Sequence, residues 1–180
     1  MDSSGSGQLI MSITHIAALV IAAVACTTDV RSRRIPNWLT FGAALAGAAY
    51  QLGANGFAGL GDGVLGWIVG AAFLFVPFAL GGIGAGDVKL MAALGAWLGP
   101  AEVLWLGTYT GIAGGAIALA VALAKGYAAQ MFANVRLLIT HWRVAGVRAL
   151  PELTLQHGRG PRLAYGVAIL AGTMVTVWVR

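Results

Sequence analysis

Two aspartates in this sequence are of the right type and placement to do chemistry together. Asp29 closes the first apolar stretch and Asp87 opens a later one, and they are two of only six acidic residues in the chain. A pair of carboxylates sharing one proton can activate a water and then protonate a leaving amine, because like charges about 3 Å apart cannot both ionise easily. Such a pair needs neither a metal nor a nucleophilic side chain. The other acids have ordinary structural explanations. Asp2 is in the N-terminal tail, Asp62 sits in the turn signal Gly61-Asp62-Gly63, and Glu152 follows Pro151. Glu102 follows Gly99-Pro100 near a helix start, where an acid complements the helix dipole. No competing constellation exists. His15, His141 and His157 show no metal-ligand spacing, so no metal or other cofactor is expected, and His15 and His141 are read as structural. There is no Gly-x-Ser-x-Gly and no phosphate loop. Cys26 is the single cysteine and allows no internal disulfide.

The elements that hold these acids must be membrane helices. Of the 180 residues, 59% are hydrophobic and 9% are charged, against about 25% charged in a soluble domain. That balance excludes a soluble cytosolic enzyme and a disordered chain. A membrane-crossing helix needs about 20 mostly apolar residues. Six stretches qualify or come close: 9–28, 38–53, 64–80, 88–98, 102–124 and 163–179. The N-terminal segment lacks lysine and arginine, so the first stretch is a poor signal peptide and is expected to be retained. Pro36-Asn37 is a good helix start for the second. The predicted fold is all-α, a single polytopic membrane domain over 1–180.

The basic residues orient it. Arg31, Arg33 and Arg34 lie in the first connection, Lys89 in the third, and Lys125, Arg136, Arg143, Arg148, Arg159 and Arg162 in the fifth. The even connections carry none, and Arg180 ends the chain. Basic loops stay in the cytoplasm, so six spans with both termini outside are expected. The formal charge of +5 is therefore a set of cytoplasmic anchors and no nucleic-acid footprint. Within the fifth connection, Met131, Val135, Leu138, Trp142 and Ala145 recur at helical spacing between arginines. The stretch 130–150 predicts a basic amphipathic helix on the cytoplasmic membrane surface, ended by Pro151.

Both aspartates then fall at the cytoplasmic face. Asp87 alone would be a helix cap, but its flank asks for more. Glycines at 81, 82, 84 and 86 permit positive φ and a close approach by another chain. From Asp87 to Leu98 a helix rises about 18 Å, while the hydrocarbon core is about 30 Å thick. If Gly99-Pro100 turns near the outer surface, Asp87 lies roughly 10 Å below the inner one or the bilayer thins there. An ionisable residue at that depth points to function. Gly107, Gly111 and Gly115 are spaced for close packing inside the bundle.

The flanks of the acids resemble a known family. Asp29-Val-Arg-Ser-Arg-Arg-Ile-Pro-Asn37 with Leu39-Thr40 is similar to the first-aspartate motif of type IV prepilin peptidases. Gly84-Ala-Gly86-Asp87-Val-Lys89-Leu90 looks like their Gly-x-Gly-Asp motif. Tyr165-Gly-Val-Ala-Ile169 resembles their closing Pro-Tyr-Gly-x-Ala-Ile element, with Ala164 where proline is usual. The resemblance implies a bacterial inner-membrane aspartyl endopeptidase that removes the leader of prepilin-like precursors at the cytoplasmic face. Asp29 and Asp87 would be the catalytic pair. Gly84 and Gly86 would hold the loop that brings Asp87 to substrate, Pro36 and Asn37 would shape the start of the second span, and Lys89 would be either an anchor or an electrostatic tuner. Longer members add an N-terminal portion, often with paired Cys-x-x-Cys, linked to methylation of the new pilin N-terminus. Here Asp29 comes early and there is one cysteine, so peptidase activity without methyltransferase activity is expected. The short build resembles the peptidases of tight-adherence (Flp-type) pili or archaeal preflagellin peptidases, with the bacterial form favoured. Presenilin-like proteases share Gly-x-Gly-Asp but need more spans. The non-enzyme alternative is a small transporter or secretion-system assembly subunit with the acids as proton carriers; the Ile-Pro-Asn flank and the lack of repeat symmetry weigh against it.

Overall fold

A computed structural model describes residues 3–146 and 164–179. Every regular element in it is helical: α1 (Ser3–Ser32), α2 (Asn37–Ala79), α3 (Ala85–Ala124), α4 (Ala128–Ala145) and α5 (Tyr165–Val179). Three stretches, Ile13–Ser32, Asn37–Ala79 and Ala85–Ala124, are long and apolar enough to cross a membrane, and Tyr165–Val179 is a shorter apolar helix. The surface is greasy and the interior is small. Trp38, Leu45, Phe57, Ile112 and Trp178 face outward, whereas Ala18, Ala22, Ala25, Ala43 and Ala93 are buried. Such inversion suits lipid, where apolar side chains gain nothing by hiding and small residues let backbones approach.

α2 and α3 each fold back on themselves. Gly56 (φ 64, ψ −151) and Gly99 (φ 80, ψ 174) are the non-helical points, in a region open to glycine and strained for other residues. The packing shows the reversal. A Cβ at Gly63 would stand 3.2 Å from Ala96 O and 3.5 Å from Gln51 Cγ, and one at Gly47 would stand 3.1 Å from Ala96 C. Residues 47 and 63 would be about 24 Å apart in a straight helix, so arms 37–55 and 57–79 must run in opposite senses. Likewise a Cβ at Gly70 would stand 3.0 Å from Met91 C and 3.1 Å from Val103 Cγ2, so arms 85–98 and 100–124 reverse at Gly99. With α1 and α5, this makes six apolar helical segments among the described residues.

Several expected boundaries are corrected. The stretch 55–63, expected as a loop, is helical apart from Gly56, and Asp62 lies within a helix instead of a turn. One positive-φ glycine suffices to reverse the chain. Helix α1 starts at Ser3 instead of residue 9, since extending a formed helix is cheap. The 88–98 stretch begins at Ala85, which puts Asp87 in the first turn. α4 ends at Gly146 (φ 80), a glycine stop ahead of Pro151. Pro151 itself, Asp2, Glu152, His157, Arg148, Arg159, Arg162 and Arg180 lie outside the described residues. Of the glycine row, only Gly107 is packed, against the Phe73 ring, while Gly111 and Gly115 face open space. At Gly114, which the row omits, a Cβ would stand 3.0 Å from Tyr165 Cε2, so the ring packs against this glycine.

The first arm of α3 is the central rod. Leu90 to Ala96, Leu98 and Gly99 are buried. The second arm of α2 reaches it backbone to backbone: a Cβ at Gly66 would overlap Gly95 O, and one at Gly95 would overlap Gly66 O. The first arm of α2 is tied to it by polar bonds. Trp97 Nε1 donates to Ala43 O at 2.8 Å, and the buried Gln51 donates through Nε2 to Trp97 O at 3.0 Å. α1 lays one face on the bundle. Its residues His15, Ala18, Ala22, Ala25 and Asp29, spaced three and four apart, are all buried. His15 Nε2 meets Glu102 Oε2 at 2.9 Å, so Glu102 braces α1 to the start of α3's second arm.

Gly66→Ala or Gly95→Ala should force the two arms apart and destabilise the protein by about 1–3 kcal/mol. Gly42→Ala, where a Cβ meets nothing within 4 Å, should stabilise it by about 0.5–1 kcal/mol. Denaturation of the detergent-solubilised variants checks both signs.

Candidate active site

The helical face that carries Ala18, Ala22 and Ala25 continues one turn to Asp29, so this carboxylate points into the bundle and is only 9% exposed. α1 stops just beyond it. Arg33 takes a left-handed conformation (φ 54), and Ser32 Oγ donates to Thr28 O and Arg34 O. Pro36 (φ −65, ψ 140) then caps α2 without a side-chain bond.

Asp87 reaches the same end of the bundle from the other direction. α2 ends in a Schellman stop: Gly81 N–H donates to Phe78 O and Gly82 N–H to Pro77 O, both at 2.8 Å. Three residues on, α3 begins. Asp87 is in its first turn, 8% exposed. Its Oδ2 accepts the Gly84 N–H at 3.1 Å, and its own N–H donates to Gly84 O at 3.2 Å. This is the return half of a capping box, so Asp87 is both a helix-start residue and a buried acid.

α5 closes the third side. Gly166 N–H donates to Asp29 Oδ2 at 3.0 Å in a buried bond. Each carboxylate thus has Oδ2 held by a backbone N–H, and among the described residues no other hydrogen bond involves either carboxylate. On each carboxylate the other oxygen has no hydrogen-bond partner among the described residues.

The supporting residues join the two motif-bearing loops. Lys89 Nζ donates to Asn37 Oδ1 at 2.9 Å and lies 5.5 Å from the Phe41 ring centroid. This bond joins α3 to the start of α2. At Gly86 a Cβ would stand 3.2 Å from Ile35 Cβ, so glycine lets the residue before Pro36 lie against α3. Gly84 supplies the N–H to Asp87. Sequence reasoning placed Tyr165-Gly166 near the end of the chain but did not connect them to Asp29. A tertiary contact between residues 29 and 166 leaves no local pattern; only the motif resemblance marked the spot. Among the described residues, no three of His, Cys, Asp and Glu come together as a metal site.

The Lys89–Asn37 bond should show as coupling. In a double-mutant cycle of Lys89→Met and Asn37→Leu, the combined loss of stability should fall short of the sum of the single losses by about 0.5–1.5 kcal/mol, read by denaturant titration in detergent.

Comparison with known proteins bears on this geometry. The model of the type IV leader peptidase family matches residues 16–119, a stretch holding both Asp29 and Asp87. Two curated proteins of Burkholderia pseudomallei, from strains 1026b and K96243, are each described as "Prepilin leader peptidase/N-methyltransferase". Each is 33% identical to this chain over 121 residues, covering 63% of it and 38% of the relative. The matched region is thus well under half the length of those relatives. No solved structure matches.

Proposed function

The chain belongs to the type IV leader peptidase family, and from that premise we propose that it is a membrane aspartyl endopeptidase with Asp29 and Asp87 as its catalytic pair. Its substrates are prepilin-like membrane proteins, from which it cuts the leader at the cytoplasmic face of a bacterial inner membrane. The observation that carries this reading is that two buried carboxylates, near the end of α1 and at the start of α3, are each held by a glycine N–H, Asp29 by Gly166 and Asp87 by Gly84.

In the proposed mechanism the free oxygens of the pair hold a water between them. One carboxylate, ionised, takes a proton from this water as its oxygen bonds to the scissile carbonyl carbon. The other, protonated, donates to the carbonyl oxygen. The tetrahedral diol then loses its C–N bond as the dyad returns a proton to the leaving amine. The Gly166 and Gly84 N–H groups keep the carboxylates from rotating away. The relatives' printed description includes N-methylation as well; the dyad accounts for its peptidase half, and only that half is assigned to this chain.

Six crossings with both termini outside are the arrangement that suits the helices. Arg31, Arg33 and Arg34 follow Asp29, Lys89 follows Asp87, and Lys125 ends the second arm of α3, so the basic residues gather at the end where the acids lie. The arm 85–98 rises only about 21 Å against a hydrocarbon core of about 30 Å. Asp87 then sits below the membrane surface or under a thinned bilayer, within reach of an apolar substrate helix whose leader extends into the cytoplasm. α4, with Val135 and Ile139 exposed on its apolar side, lies along the inner membrane surface.

Asp29→Asn and Asp87→Asn should each lower cleavage of a purified prepilin by about 10²–10⁴-fold or more while leaving the protein folded. Retention of the wild-type rate by either would end the dyad assignment. The wild-type rate should also fall on both sides of a single pH optimum: a doubly protonated pair cannot activate water, and a doubly ionised pair cannot polarise the carbonyl. A rate that climbs steadily with pH would contradict a shared proton.

A further inference from the structure

The two acids obtain their hydrogen-bond donors from different sources. Asp87 is at the start of its own helix, where N–H groups lack intrahelical partners, and its donor is Gly84, three residues away. Asp29 is near the end of α1, where the nearby unpaired groups are carbonyls and the dipole disfavours an anion. Its own helix offers it no donor. The donor comes from residue 166, on the first turn of α5, through a buried bond of 3.0 Å. Any side chain at residue 166 would push this contact apart by a few tenths of an ångström. A Cβ there would stand 3.1 Å from both Asp29 Cβ and Asp29 Oδ2, and 3.3 Å from Cys26 Cα. Neither the Asp29 Cβ nor the Cys26 Cα can rotate out of the way.

We propose that Gly166 is the positioning residue for Asp29: its bare backbone lets α5 dock against α1, and its N–H fixes which carboxylate oxygen faces Asp87. This rests on the peptidase reading above. The region matched by the family model, 16–119, contains both acids but not this donor, so the dyad is complete only when α5 is seated. The first turn of α5 thereby sets the Asp29 rotamer, while Asp87 is set by its own loop.

The test separates this role from simple helix packing by a second glycine on the same helix. A Cβ at Gly172 would overlap Thr110 Oγ1 and stand 2.7 Å from Thr110 N, a tighter clash six residues further along α5. Purified Gly166→Ala and Gly172→Ala are compared with wild type for prepilin cleavage per folded molecule and for melting temperature. Gly166→Ala should lower kcat by about 10–100-fold with KM within about twofold, since misplacing a reacting group by an ångström can cost about that much. Gly172→Ala should lower the melting temperature at least as much, with kcat within about twofold of wild type. Wild-type kcat in Gly166→Ala, or equal loss of kcat in both variants, would overturn the proposal.

If Gly166→Ala does not fold, melting of Asp29→Gly with and without Gly166→Ala decides the matter. Removing the Asp29 side chain should erase most of the melting penalty of the alanine, and an undiminished penalty would overturn the proposal. The peptidase reading fails separately, if wild type does not cleave prepilin or Asp87→Asn does; the melting comparison stands in either case.

Discussion

The fold depends on a contact that has no side chains in it. The second arm of α2 meets the first arm of α3 at Gly66 and Gly95, where a Cβ on either would overlap the other's carbonyl oxygen. In lipid there is little hydrophobic gain from bringing helices together, so close van der Waals contact and interhelical hydrogen bonds must hold them. Gly63 and Gly70 extend that contact along the same arm, while Trp97 and Gln51 bind the other arm with polar bonds. The result is that residues 90–96 are enclosed on all sides. Asp87 stands at the end of this enclosed rod, so its depth and direction are inherited from the glycine contact.

The site itself is an assembly of helix ends. α1 finishes just beyond Asp29, α3 begins at the glycine loop ahead of Asp87, and α5 begins at Tyr165. Helix ends are where backbone N–H and C=O groups are unspent, and a buried carboxylate needs N–H donors to be tolerated. Gly84 and Gly166 meet that need, and neither has a side chain to obstruct it. The Lys89–Asn37 bond and the Ile35–Gly86 contact hold the α1–α2 connection against α3. Far along α1, on the same face and about 21 Å from Asp29, His15 and Glu102 brace the other end. Between the two lies a stripe of alanines.

Much of this was legible in the sequence. Hydropathy located the long apolar helices, and the Gly99-Pro100 break falls where α3 turns at Gly99. Scarcity of acids, with the flanks of Asp29 and Asp87, singled out two that are buried in the bundle. The helix boundaries were less legible, because turn signals were overweighted. Gly61-Asp62-Gly63 looks like a loop, yet it is helical: Gly63 packs closely against Ala96, Gly61 faces open space, and Gly56 turns the chain. The donor to Asp29 was invisible for a different reason. It is a backbone group on a helix 137 residues away, and no periodicity or local spacing records such a contact. The bond between Lys89 and Asn37, 52 residues apart, likewise leaves no local pattern.

The central claim is that Asp29 and Asp87 act as one unit. Residues that act as a unit lose their effect together, so the loss on removing both should be no larger than the loss on removing one. The direct measurement is the single-turnover cleavage rate of Asp29→Asn/Asp87→Asn beside the two single variants, on the same prepilin in the same detergent. Equal residual rates in all three are the expected result. A double variant slower by the product of the single losses would show two independent contributions and contradict the shared dyad.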